Sequence, residues 1–192
     1  MRDDELGRQL LGVARGAIAG ELSLAALAPV ANRELQRLGA TFVTLLCGED
    51  LRGCIGSLKA TRALGVDVRE NALAAAFRDP RFPPLTAAEF PMLSIEVSLL
   101  SDPEHLHFAT EAELCVRLAP GIDGVALDLS GCHATFLPQV WESLPEPNAF
   151  LAALKAKAGL PPGFWTPKLN VSLYRVTQWK ESDMLSMPIT TS

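Results

Sequence analysis

The sequence predicts an α+β protein in which a mainly antiparallel sheet carries helices packed on it. Three observations lead there. Residues 4–27, 66–77 and 148–158 repeat apolar groups at helical spacing. Residues 93–100 read as a strand, with Leu93, Ile95, Val97 and Leu99 on one face and Ser94, Glu96 and Ser98 on the other. Other strand-like runs meet at short polar turns, so they read as hairpins and not as the crossovers of a doubly wound parallel sheet.

In chain order, the first helix runs from Asp4 to Leu27 with Leu6, Leu10, Val13, Ala17 and Leu24 on related faces. Its glycines at 12, 16 and 20 fall four apart, a spacing that permits close packing at a cost in helix propensity. Thr41–Cys47 is a β-branched and apolar strand. Gly48-Glu49-Asp50 turns it into Leu51–Leu58, a hairpin with a three-residue loop. The helix over Val66–Phe77 stops at Arg78-Asp79-Pro80, because proline excludes helical geometry for the residue before it. Two prolines make Arg81–Leu85 an extended loop, and Thr86 caps the short turn after it. Thr110-Glu111-Ala112-Glu113 has capping-box spacing and opens a helix to about Leu118. Gly124–Leu129 and His133–Leu137 form a second hairpin around Ser130-Gly131-Cys132. The helix over Asn148–Ala158 is closed by Gly159 and Pro161-Pro162, and Lys168–Trp179 reads as one long last strand. Trp141, Phe164 and Trp165 are expected to pack helix ends and loops.

Composition narrows the function classes. The chain has 192 residues, of which 48% are hydrophobic and 20% charged, a balance that suits a packed core and excludes disorder. Its net charge is −5 and its pI about 5.2, and its 17 basic residues are scattered among 22 acidic ones. Nucleic-acid binding, which needs gathered Lys and Arg, is therefore argued against. The longest apolar runs, such as Leu10–Val13 and Phe42–Cys47, are too short to span a bilayer, and the acidic opening is unlike a signal peptide. The cysteines at 47, 54, 115 and 132 include no Cys-x-x-Cys pair and suggest neither a zinc knuckle nor a disulfide framework. A reduced cytoplasmic setting is the expectation.

The segment richest in chemistry is Leu51-Arg52-Gly53-Cys54-Ile55-Gly56. With Leu51 and Ile55 turned into the core, alternation sets Arg52 and Cys54 together on the opposite face. Gly53 and Gly56 clear space around the thiol. A cysteine beside an arginine on an open strand can serve as a nucleophile; a buried structural cysteine among close-packing glycines explains the same residues. Glu96 and Ser98, His133 and Thr135, and Asn170, Ser172 and Tyr174 are expected on solvated strand faces. If Cys54, His133 and Glu96 met in one concavity they would form a nucleophile, base and orienter set. His105-x-His107 could ligate a metal, but no cluster at fixed spacing completes the set, so an acidic loop with incidental histidines is the preferred reading. No phosphate loop or Gly-x-Ser-x-Gly elbow is present, and the residues point to no cofactor.

At Leu51–Gly56 the chain resembles the AMMECR-type domain family. The resemblance continues in Asp79-Pro80-Arg81-Phe82-Pro83-Pro84-Leu85, in Ile95–Leu100, in Ala134–Val140 and in Lys157–Leu160. It implies one domain over 1–183, with a frayed tail over 184–192. Its fold would be two unequal lobes with a cleft between them, the signature motifs lying near that cleft. It further implies that Arg52, Gly53, Cys54, Gly56, Arg81 and Phe82 line a functional surface. The bacterial form resembles protein A of the AmmeMemoRadiSam system, which implies a Memo-like protein and a radical S-adenosylmethionine enzyme as partners. On that footing the chain is an accessory or substrate-handling component. The alternative is an enzyme using Cys54 as nucleophile or thiol carrier on a small metabolite.

Overall fold

A computed structural model describes residues 2–24 and 32–185. The chain divides into two compact units, residues 1–100 with 177–192, and residues 101–176. The chain is α+β, with antiparallel pairing in both units.

In the first unit, helix α1 (Arg2–Glu21) is followed by strands β1 (Leu38–Cys47), β2 (Asp50–Gly56) and the two-residue β3 (Arg62–Ala63). Helix α2 (Leu64–Phe77), strand β4 (Leu93–Leu100), strand β9 (Val176–Lys180) and the short α5 (Glu181–Leu185) complete it. The sheet order is β2-β1-β4-β9, with β3 beside the start of β1. Val43 and Leu45 of β1 and Ile95, Val97 and Leu99 of β4 point to one face. They are covered there by Leu10, Ala14 and Ile18 of α1 and by Val68, Ala72 and Ala76 of α2. Each fully buried Leu, Ile or Val contributes on the order of 1.5–3 kcal/mol, so this one face holds most of the unit together. Glu181 at the start of α5 ties the layers: it accepts from the guanidinium of Arg15 at 2.6 and 2.5 Å and from the backbone N–H of Ile95 at 2.9 Å.

The second unit contains β5 (Glu104–His105), α3 (Glu111–Arg117), β6 (Gly124–Leu129), β7 (Cys132–Phe136), α4 (Pro147–Lys157) and β8 (Asn170–Tyr174). Its sheet order is β5-β8-β6-β7. Leu114, Val125, Leu127, Phe150, Leu154 and Val171 make its core, and the indole of Trp141 stacks on Phe150 at 3.7 Å. That indole also donates to the carbonyl of Asp123 at 2.8 Å, which satisfies its one polar atom in the core. Lys155 is fully buried; its ammonium donates to Glu111 at 2.5 Å and to the carbonyl of Pro162 at 3.2 Å.

Several sequence expectations hold closely. Thr110 caps α3 by accepting from Glu113, and Gly159 closes α4 at φ +81°. Others need correction. The first hairpin turns on two residues, because Asp50 already pairs with Cys47. The second also turns on two, Ser130 and Gly131, both with positive φ as a type I′ turn demands. The last strand is two strands, β8 in one sheet and β9 in the other, broken at Arg175. Gly12 and Gly20 face open space, so the expected close packing does not involve them. The close approach in α1 is at Gly7, where a Cβ would lie 2.3 Å from the Trp179 ring. α1 is described as helix to Glu21, and residues 25–27 of the expected helix lie outside the described residues, as do 186–192 of the expected tail.

Candidate functional site

The signature segment is β2, the edge strand of the first sheet. Its pairing with β1 is regular from Phe42↔Gly56 to Leu45↔Gly53, then shifts by one residue so that Leu46 faces Leu51. Arg52 is the extra residue of this bulge. The bulge overturns part of the alternation expected from sequence. Ile55 does pack against the core, but Leu51 is 41% exposed, and Arg52 does not share an open face with Cys54. A bulge re-aims the side chain at the irregular position, and here it sends the guanidinium of Arg52 into the loop after α2.

Arg52 is about nine-tenths buried there. Its Nε donates to Glu89 Oε1 at 2.8 Å, and its Nη2 to the carbonyl of Pro83 at 2.9 Å and to Glu89 Oε2 at 3.4 Å. Glu89 also accepts from the backbone N–H and the hydroxyl of Thr86, both at 2.8 Å. The Arg52 guanidinium and these Thr86 bonds pull the Glu89 carboxyl down to about 2. Two guanidinium groups lie over the ring of Phe82, that of Arg52 at 5.8 Å and that of Arg81 at 5.5 Å from its centroid.

Cys54 is held at its backbone and open at its side chain. On an edge strand its N–H and C=O have no further strand to meet. Asp79 Oδ2 accepts the N–H at 2.9 Å, and Arg81 Nη2 donates to the C=O at 3.1 Å. Asp79 and Arg81 are themselves paired at 2.7 and 2.9 Å. That guanidinium, helped by the backbone N–H groups of Cys54 and Arg81, holds the buried Asp79 carboxyl well below the usual carboxylate range. The half-buried thiol faces Thr44, whose hydroxyl donates to Sγ at 3.3 Å. Two glycines are required by contact. A Cβ on Gly53 would lie 2.2 Å from the carbonyl oxygen of Ala75 in α2, and one on Gly56 would lie 2.2 Å from the Phe42 ring.

The companions expected from sequence are placed as follows. Thr44 is the register partner of both Cys54 and Glu96, so the three lie in a row on one sheet face with Thr44 in the middle. Glu96 is engaged by Lys180 Nζ at 3.1 Å and Gln178 Nε2 at 3.0 Å. His133 belongs to the second unit, is exposed, and sets Nδ1 3.7 Å from Asp128. In that unit Tyr174, expected on a solvated face, is buried; its ring covers Gly124, its hydroxyl donates to the carbonyl of Phe136, and burial pushes its pKa up to about 12. His105 and His107 are exposed and meet edge to face at 4.8 Å. Among the described residues no group of three or more His, Cys, Asp or Glu could hold a metal ion.

Sequence reasoning missed a polar cluster beside β2. The fully buried Asp67 accepts from the backbone N–H and hydroxyl of Thr41, from Asn71, from the hydroxyl of Ser57 and from Arg62, at 2.7–3.2 Å. An aspartate in the first turn of an apolar helix gave no signal of this role. Glu89 was missed as well, although the capping-box spacing of Thr86-x-x-Glu89 is a signal that could have found it.

The two signature blocks, 51–56 and 79–85, thus meet at the outer edge of one strand. The family model that matches the chain, AMMECR1, spans residues 11–179. The chain belongs to the AMMECR1 family. Similar proteins include one from Sulfolobus acidocaldarius, 35% identical over 89% of this chain and 82% of the relative. Another, from Methanothermobacter thermautotrophicus, is 34% identical over 91% of this chain and 94% of the relative. The crystal structure of an uncharacterised Pyrococcus horikoshii protein has the same fold, with TM-score 0.80 and 31% identity over 92% of each chain. In this AMMECR1-type chain the fold brings Arg81 and Phe82 to the β2 edge beside Cys54 and buries Arg52 in the loop after α2. No helix among the described residues is long and apolar enough to cross a membrane.

Proposed function

We propose that this AMMECR1-type protein is an accessory, substrate-handling component whose working surface is the β2 edge at Cys54. The observation that supports this reading is the double clamp of Asp79 and Arg81 on the N–H and C=O of Cys54. It fixes the backbone that carries the half-buried Cys54 thiol, and it joins two signature blocks that are far apart in sequence. Preorganisation of this kind is what a binding or transfer surface needs. The partners proposed on the family resemblance are a Memo-like protein and a radical S-adenosylmethionine enzyme in the same cytoplasm. Mild affinity purification of the tagged chain from its native cells should recover one or both. Their absence across repeated crosslinked preparations would reject the partnership.

A second reading, an enzyme using Cys54 as nucleophile or thiol carrier, is favoured by the Thr44 hydroxyl on Sγ and by the charge of Arg81 nearby. The alkylation rate of each cysteine against pH, followed by mass spectrometry on the folded protein, tests it. Fast, selective modification of Cys54 supports covalent chemistry, and a Cys54 that reacts only after unfolding rejects it.

A further inference from the structure

Arg52 is heavily engaged, yet two of the five N–H bonds of its guanidinium are unused. Nε and Nη2 are taken by Glu89 and the carbonyl of Pro83. Nη1 is buried and has no hydrogen-bond partner among the described residues. A guanidinium carries two N–H bonds on that nitrogen. Leaving buried donors unmade costs about 1–3 kcal/mol, so such a group is an exception that calls for a cause. The ring of Phe82 lies over this guanidinium. A ring face is a weaker acceptor than an oxygen lone pair, so this contact with the guanidinium does not replace the missing hydrogen bonds.

We propose that Arg52 Nη1 is a recognition donor for a neutral carbonyl-type acceptor, an amide or peptide oxygen, admitted when Phe82 swings aside. The inference rests on reading the Cys54 edge as a substrate-handling surface and names the chemical class that surface takes. Local charge selects a neutral acceptor over an anion. Arg52 is neutralised by Glu89 and Arg81 by Asp79, and both carboxylates are held ionised far below neutral pH. An added carboxylate or phosphate would bring one or more uncompensated charges to a partly desolvated place, whereas an amide oxygen brings none. Phe82 suits the role of cover. It is only half-buried and sits in the irregular loop between Asp79 and Leu85, whose ends are fixed by the Phe82 N–H on the Asp79 carbonyl and the Leu85 N–H on the Ala76 carbonyl.

The test is NMR titration of the full chain, labelled at arginine side chains and backbone amides, with N-methylacetamide, sodium acetate and inorganic phosphate in turn. A saturable shift of the Arg52 guanidinium and of the Gly53 and Cys54 amides with N-methylacetamide, and not with the anions, is expected. Phe82→Leu should tighten that response by roughly threefold or more, since the cover no longer competes. Arg52→Lys, read on the Gly53 and Cys54 amides, should abolish it. Running the titration also on Cys54→Ser separates the two claims. A response that survives there stands whatever the alkylation experiment says of Cys54, and an unreactive Cys54 in the wild-type chain leaves it intact. No saturable shift with any probe in both wild type and Phe82→Leu would show that the ring or a trapped water is the whole partner of Nη1, and overturns the proposal. A response to acetate or phosphate but not to the amide overturns it equally, replacing a neutral-acceptor site by an anion site.

Discussion

The carboxylate of Asp79 accepts the backbone N–H of Cys54 at 2.9 Å, so a residue just past the end of α2 fixes the residue on which the whole signature is centred. Arg81 closes the same clamp on the carbonyl side at 3.1 Å. An edge strand is ordinarily a site of unwanted pairing. Here side chains of the Asp79–Leu85 block occupy the edge, and the strand holds one geometry.

The clamp and its neighbour make stability depend on acid. The folded-state pKa of Glu89, about 2, lies below its ordinary 4.5, and that of Asp79 lies well below its ordinary 3.8. Both groups therefore stabilise the fold fully above about pH 5, and the stabilisation is lost as pH falls through 4 towards 2. Urea midpoints between pH 7 and pH 2.5 should fall in that window. Glu89→Gln should remove roughly 1–2 kcal/mol of the pH-dependent part, a figure already reduced for solvent screening. A pH-independent midpoint over this range would refute the assignment.

Gly53→Ala should destabilise by about 2–4 kcal/mol, because the new Cβ meets a helix carbonyl that has no flexible atom to give way. Gly56→Ala meets a ring instead. Its cost should be smaller and should be partly rescued by Phe42→Leu in a double-mutant cycle read by chemical denaturation.

In the second unit, Glu111→Gln should cost about 2–4 kcal/mol, since it leaves the fully buried Lys155 without its carboxylate. Lys155→Met should cost far less, because it removes the charge together with the need to pair it. Thermal unfolding of the two variants side by side checks the ordering.

Cys54 should be alkylated at pH 7 faster than Cys115, whose thiol is pushed up by burial and by the charge of Glu111. Thr44→Val should slow the Cys54 reaction by roughly threefold to tenfold, the worth of one hydrogen bond to sulfur. An unchanged rate in Thr44→Val would show that the hydroxyl does not support the reacting thiolate.

Local signals were enough for most elements. Thr110 with Glu113 placed the start of α3, Gly159 the end of α4, and Pro80 the end of α2, because caps and proline act within a few residues. The alternation of Leu93–Leu100 placed the central strand and its buried face. Gathering Leu51–Gly56 and Asp79–Leu85 as one signature came from the resemblance to the AMMECR-type family and not from the patterning of the residues.

Other features were not local. The bulge at Arg52 exists because β1 and β2 slip by one residue against each other, and no pattern within β2 announces it. Lys168–Trp179 keeps one strand-like composition throughout, yet hydrogen bonding assigns its halves to two sheets. The Asp67 cluster and the Asp79 clamp join residues about 25 apart, through contacts that only chain reversal creates. By itself the sequence determined most of the helices and strands, most of their apolar faces and which family the chain resembles, since these follow from neighbours a few residues apart. Only the tertiary structure decided that Cys54 answers to Thr44, Asp79 and Arg81, because pairing register and burial are properties of segments brought together.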